Sequence, residues 1–289
     1  MNTTCKSWAK INLLLRVCGR RDDSFHELQT LFQTIVLADL LYFETRNQGK
    51  WDVALNGAIE IFDKKAFQMD NLVQRAVKAL EEYCGEQLPP LHIRLEKCIP
   101  IGAGLGGGSS NAAATFTTLN NMLELGLKQE QLERLGAEIG KDVPFFIRGG
   151  TQLGLGRGDQ LRPLPPLPST PLVLVKPEFS ISTVEAYGLL KEHSLPPPLT
   201  EPELDARITA LRQGDWSSME NTFEDVLFDR YPTLARIKAE LLTQGCTAAL
   251  LSGSGSTVFG ICTSPEAART IADHFKADHP FSQPVLNFI

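Results

Sequence analysis

From residue 100 to 110 the chain reads Pro100-Ile101-Gly102-Ala103-Gly104-Leu105-Gly106-Gly107-Gly108-Ser109-Ser110, with five glycines in the seven residues 102–108. Such a run cannot form the interior of a helix or strand, because each glycine loses backbone entropy there and gives the core no side chain. It predicts a loop, and its flanks fix the setting. Before it, Leu91-His92-Ile93-Arg94-Leu95-Glu96 alternates apolar and polar residues, which is the period of a strand with one wet face. After it, residues 111–125 are Ala-rich and predict a helix opened by the Ser109-Ser110-Asn111 edge. A bare loop leading into a helix start leaves successive amides uncovered at the positive end of a helix dipole. That arrangement cradles phosphate.

Two familiar nucleotide loops compete for this segment. The spacing Gly102-x-Gly104-x-x-Gly107 satisfies the dinucleotide fingerprint. That motif should follow a uniformly apolar parallel strand and place an acid at the end of the next strand. Here the preceding strand alternates, and the acid at the right distance, Glu124, falls near the end of the following helix. The P-loop is excluded because no glycine is followed by Lys-Ser or Lys-Thr. A second small-residue loop, Ser252-Gly253-Ser254-Gly255-Ser256-Thr257, joins two apolar strands.

Around these loops the pattern is α+β. Residues 8–17 and 31–44 predict strands, and apolar residues at 72, 73, 76, 77 and 80 predict a helix capped by Asp70 or Asn71. Residues 162–171 hold five of the 18 prolines and predict a stiff connector or surface loop. A domain boundary is placed just before it, giving domains 1–160 and 161–289, the natural division for 289 residues. Beyond it, strand 172–176, a helix from Ser182, helical stretches over 203–244, strands 248–251 and 257–262, helix 265–275 and a strand near 284–288 suggest a small α+β sandwich.

Composition removes several functional classes. Six scattered cysteines with no CxxC pair read as reduced thiols, and five histidines without HxH or HExxH spacing argue against a built-in metal centre. A net charge of −6 without a dense Lys/Arg run argues against nucleic-acid binding. No apolar stretch is long enough to span a bilayer, and Met1-Asn2-Thr3-Thr4-Cys5-Lys6 has no leader pattern. Cytoplasmic residence is the expectation, as a monomer or weak homodimer.

Three segments in order, Ala9-Lys10-Ile11-Asn12-Leu13, the loop 100–110 and residues 251–258, resemble the three signature motifs of the GHMP kinases. Residues 8–13, then 19–28 (Gly-Arg-Arg-Asp-Asp-Ser-Phe-His-Glu-Leu) and on to Thr30, Gln33 and Asp39, are similar to the opening of the 4-diphosphocytidyl-2-C-methylerythritol kinases. Gly140-Lys141-Asp142-Val143-Pro144 resembles the Gly-x-Asp-Val-Pro element of the same family. The chain departs from it at Ser24 and Phe25, where the family usually has Gly and Tyr.

The resemblance implies a two-domain fold, an N-terminal α/β domain like a ribosomal small-subunit protein and a ferredoxin-like C-terminal domain. It implies ATP against the glycine loop, with Mg²⁺ bridging phosphate oxygens rather than held in a fixed protein site. The acceptor it implies is a small molecule, the cytidine-linked polyol of the non-mevalonate isoprenoid pathway. Asp142 becomes the candidate base and Lys10 its catalytic companion; a lysine in an apolar strand needs a carboxylate or phosphate partner. Asn12, Phe25, His26, Tyr187 and Ser256 become candidate substrate contacts, with Phe25 and Tyr187 facing each other across the cytosine. The competing readings are a GHMP kinase for homoserine, mevalonate or a sugar, an inactive nucleotide-binding regulator, and a Rossmann dehydrogenase.

Overall fold

The computed structural model describes residues 2–20, 26–57 and 71–285. Its described residues gather into two compact units. One takes them from Met1–Ala9, Leu37–Ile101 and Gly106–Gly149, the other from Lys10–Val36, Gly102–Leu105 and Gly150–Ile289. Two long strands, β1 (Asn2–Arg20) and β2 (His26–Thr45), contribute to both.

In the first unit, β3 (Asp52–Gly57), helix α1 (Leu72–Cys84) and β4 (Leu91–Lys97) follow β2. β4 runs parallel to β3 and antiparallel to the far half of β2, with Leu41 opposite Leu95 and Phe43 opposite Ile93. The alternation read in β4 is real: Leu91, Ile93 and Leu95 are fully buried. They meet Val73, Ala76, Val77 and Leu80, the predicted stripe of α1. Asn71 caps that helix, accepting from the amide of Gln74. Next come α2 (Gly107–Met122), α3 (Gln129–Ile139) and the single-turn α4 (Val143–Arg148). α2 starts four residues before the predicted 111 because tertiary packing overrides the low helix propensity of glycine. A Cβ on Gly107 would sit 3.0 Å from Ile99 Cγ2 and 3.1 Å from Lys97 Nζ, so that first turn has no room for a side chain.

The second unit pairs the near half of β2 with β5 (Thr151–Leu155), and β5 with β6 (Gln160–Leu164). The proline-rich stretch thus begins as a strand rather than a free connector. Its Pro163 is tolerated because β6 pairs on one side alone. The remaining elements are β7 (Leu172–Lys176), α5 (Thr183–Leu189), α6 (Glu201–Arg212), β8 (Glu220–Asn221), α7 (Glu224–Arg230), α8 (Pro232–Thr243), β9 (Ala248–Leu251), β10 (Val258–Ile261), α9 (Pro265–Phe275) and β11 (Phe281–Val285). Strands β11-β7-β10-β9 form an antiparallel sheet, and β8 runs parallel to β1. Both inner strands are buried throughout, and Pro284 again lies on an edge strand. Ile237 and Leu241 of α8 and Ile271 and Phe275 of α9 pack with Val173, Val175, Leu251 and Val258. The six cysteines are free thiols. No described helix is long and apolar enough to cross a membrane.

Candidate active site

The glycine loop owes its path to residues that other amino acids cannot replace. Gly104 has φ +75°, and a Cβ there would lie 2.0 Å from the Ser252 carbonyl oxygen. Gly106 is the N-cap of α2 at φ +71°, a left-handed backbone, and no side chain caps the helix behind it. The first amides of α2 therefore have no side-chain cap as acceptor, as a phosphate cradle requires.

Within the first unit, the turn carrying Asp142 lies at this helix start. A Cβ on Gly140 would be 3.6 Å from Ser109 Oγ. Asp142 occupies the N-cap position of α4, yet its side chain makes no capping hydrogen bond. The turn is held by backbone bonds instead, Val143 N to Gly140 O and Gly140 N to Gly136 O. The side-chain capping bond that the sequence alone allowed for Asp142 is not formed.

Within the second unit, parts of all three signature segments gather around Lys10. This lysine is 4 % exposed, and its Nζ donates to Asn12 Oδ1 at 2.7 Å and lies 5.7 Å from the Phe32 ring centre. A Cβ on Gly253 would be 3.1 Å from the same nitrogen. The Lys10 amide donates to Leu105 O, Thr257 N to Ala103 O, and Ser252 Oγ to Gly104 O. Asn12 is oriented from behind: its Nδ2 donates to Thr30 Oγ1, whose own proton goes to Leu14 O at 2.9 Å. The Asn12 carbonyl must therefore turn toward Lys10. A Thr30→Val protein should lose this orientation. We expect a kcat about tenfold lower with ATP affinity unchanged, and a stability loss of about 1–3 kcal/mol for the unpaired groups, read by steady-state kinetics and thermal melting.

The other candidate contacts separate. Ser256 is fully buried and donates to Phe179 O at 2.7 Å. His26 lies against Tyr187, ring centres 5.0 Å apart at 32°, and Tyr187 meets Phe223 edge-on. Phe25 falls outside the described residues. Sequence reasoning missed Asn221, whose Nδ2 donates to the carbonyls of Leu251 and Gly253 and so shapes the third loop. It also left unused a buried cluster of Ser7, Asp39, Lys97 and Asn111. Among the described residues, no three His, Cys, Asp or Glu side chains group as metal ligands.

Fold and loops together define a GHMP kinase: the GHMP kinases N terminal domain description matches residues 71–150 and the GHMP kinases C terminal description residues 204–280. Solved structures of a homoserine kinase from Cytophaga hutchinsonii and a mevalonate kinase from L. major share the fold, with TM-scores of 0.71 and 0.73 at 18% and 17% identity. They cover 97% of each of those chains and 100% and 99% of this one.

The 4-diphosphocytidyl-2-C-methyl-D-erythritol kinase of Moorella thermoacetica is 41% identical over 96% of both chains, and that of Bacillus cereus 39% over 90% of this chain and 88% of its own. A crystal structure of a 4-(cytidine 5'-diphospho)-2C-methyl-D-erythritol kinase matches with TM-score 0.84 and 32% identity over 99% of each chain. This chain belongs to that kinase family, and as a kinase it takes ATP as phosphate donor.

Proposed function

We propose that the chain transfers the γ-phosphoryl group of ATP to the 2-hydroxyl of 4-diphosphocytidyl-2-C-methyl-D-erythritol, a step of the non-mevalonate route to isoprenoids. The observation that carries phosphoryl transfer is the gathering of three signature segments around Lys10, Asn12 and Gly253 at its ammonium and the glycine loop at its backbone amide, within the second unit. The choice of acceptor is supported by the named relatives, at 41% and 39% identity over most of the chain.

Phosphoryl transfer asks the protein for position and charge more than for covalent chemistry. The uncapped amides at the start of α2, with the loop residues 100–110 and the hydroxyls of Ser109 and Ser110, hold the phosphates. Asp142 accepts the proton of the attacking hydroxyl. Lys10, steadied by Asn12, offsets the charge that grows on the transferred group. Mg²⁺ supplies further charge neutralisation when bound. Asp142, Ser109 and Ser110 are the oxygen donors that would help to hold it beside the phosphates. The cytidine end belongs to His26 and Tyr187 with Phe25. The enzyme acts in the cytoplasm as a monomer or weak homodimer.

Substrate choice is tested by ATP consumption with the cytidine-linked polyol, homoserine, mevalonate and galactose offered separately. Turnover with the polyol alone is expected; turnover with one of the others would move the chain to another GHMP activity, and none with any would make it a nucleotide-binding regulator. The base is tested in the same assay. Cytosine differs from uracil at N3 and its exocyclic amine, and a site built around hydrogen bonds rejects a mismatched edge strongly. The uridine analogue should be a far poorer substrate. His26→Ala should raise the polyol KM about tenfold, since His26 presents the hydrogen-bonding edge and its loss leaves a polar group of the base unpaired at a cost of about 1–3 kcal/mol, and leave the ATP KM unchanged. A rise in the ATP KM alone would move this loop to the triphosphate site.

A further inference from the structure

Beneath the glycine loop, in the first unit, lies a chain of buried polar groups that none of the signature motifs explains. Asp39, fully buried, uses both carboxylate oxygens. Oδ1 accepts from the amides of Cys98 at 2.7 Å and Ile99 at 2.8 Å, the two residues that lead into the loop. Oδ2 accepts from Lys97 Nζ and, at 2.9 Å, from Asn111 Nδ2, just past the loop. One carboxylate thus ties the residues before the loop to the residue after it. An ion pair this buried does little for stability by itself, so its use lies in what it orients.

The ion pair fixes the orientation of the Asn111 amide. Lys97 Nζ can only donate, so the atom of Asn111 facing it at 3.2 Å is Oδ1. An ionised Asp39 can only accept, so the atom facing it is Nδ2. The second hydrogen of that nitrogen goes to Ser7 Oγ at 2.9 Å. Ser7, 1 % exposed, accepts there with one lone pair, and its proton is donated to Ser110 Oγ at 2.7 Å. Ser110 receives rather than gives. Its own proton is not used within this set of groups.

We infer that Ser7, Asp39, Lys97 and Asn111 are positioning residues for the nucleotide: a one-way hydrogen-bond chain that makes the Ser110 hydroxyl a committed donor to a phosphate oxygen of ATP. This rests on the placement of the phosphates at the glycine loop. The chain ends at the loop's last residue, and its origin pins the loop's other end, so orientation of the donor and closure of the cradle come from the same carboxylate.

A double-mutant cycle on the full-length protein separates this from a merely structural role. Affinity for a non-hydrolysable ATP analogue is measured by titration calorimetry for native, Ser7→Ala, Ser110→Ala and double-variant proteins, with thermal melting as the control. Loss of a hydrogen bond to a charged partner should weaken binding about tenfold or more in Ser110→Ala. Ser7→Ala should weaken it by a smaller factor, and the double variant should bind no worse than Ser110→Ala alone. Ser7→Cys, nearly isosteric and a weak donor, should fall between native and Ser7→Ala, and it serves if the alanine variant does not fold. Losses that multiply in the double variant, or native affinity in folded Ser7→Ala or Ser7→Cys, would overturn the one-way chain while leaving the phosphate site intact. Native affinity in Ser110→Ala would instead remove Ser110 from the phosphate site, and the inference with it.

Discussion

Replacing Asp142 with asparagine should slow turnover by about 10²–10⁴-fold, the usual contribution of a positioned proton acceptor, with ATP bound as tightly as before. The Asp142 side chain does not cap α4, and its turn is closed by the backbone bonds of Gly140 and Val143, so loss of the charge should not unwind the helix. Lys10 needs more care. It is buried beside Asn12 and Phe32, and Lys10→Ala would leave a cavity and an unpaired Asn12 carbonyl as well as removing the charge. Lys10→Met keeps the volume and removes the ammonium, so its kcat loss reports the charge more directly. Single-turnover quench with saturating ATP and polyol isolates the chemical step. Native rates in Asp142→Asn would end the base assignment and leave Asp142 as at most a positioning group.

Sequence and structure agree where a local pattern carries the information. The stripe of α1, its Asn71 cap, the alternation of β4 and the strand 172–176 follow from period and capping chemistry, which act over a few residues. The start of α2 was misplaced because Gly107 and Gly108 argue against helix locally, whereas the contact of Gly107 with Ile99 and Lys97 is not local. Pro163 argues against a central strand and so for a connector, whereas the edge on which β6 lies is a property of sheet order. The polar chain from Asp39 to Ser110 spans separations of up to 104 residues, so no window contains it. One trace of it was legible. Lys97 falls in the same alternation as Leu91, Ile93 and Leu95, the core-facing positions of β4, and a lysine there requires a buried acceptor. Asp39, within an otherwise apolar stretch of β2, was the matching signal.

The second large effect concerns the loop itself, where two glycines that look alike in sequence should fail differently. Gly106→Val places a β-branched residue at φ +71°, a backbone region that costs such residues roughly 1–2 kcal/mol or more. Relief of that strain by rotating the peptide at the N-cap of α2 would turn away the amides assigned to the phosphates. Losing two or three such charge-assisted bonds should weaken ATP binding at least about a hundredfold, while the rest of α2, anchored by Ala112, Ala113, Phe116 and Leu119, stays folded. Gly104 adds a collision to the strain: even alanine would bring its Cβ to 2.0 Å from the Ser252 carbonyl oxygen and 3.0 Å from that of Gly255. Backbone on both sides leaves nothing flexible to yield. Gly104→Ala should therefore lower the melting temperature as well as ATP affinity, and it should disturb Lys10, because Gly253 of the displaced loop lies against the ammonium. Calorimetric ATP titration with melting curves on both variants makes the comparison. A folded Gly106→Val protein with native ATP affinity would show that the phosphates do not lie on this loop, and a Gly104→Ala protein with a native melting temperature would show that the packing of loop 252–255 on Gly104 gives way freely.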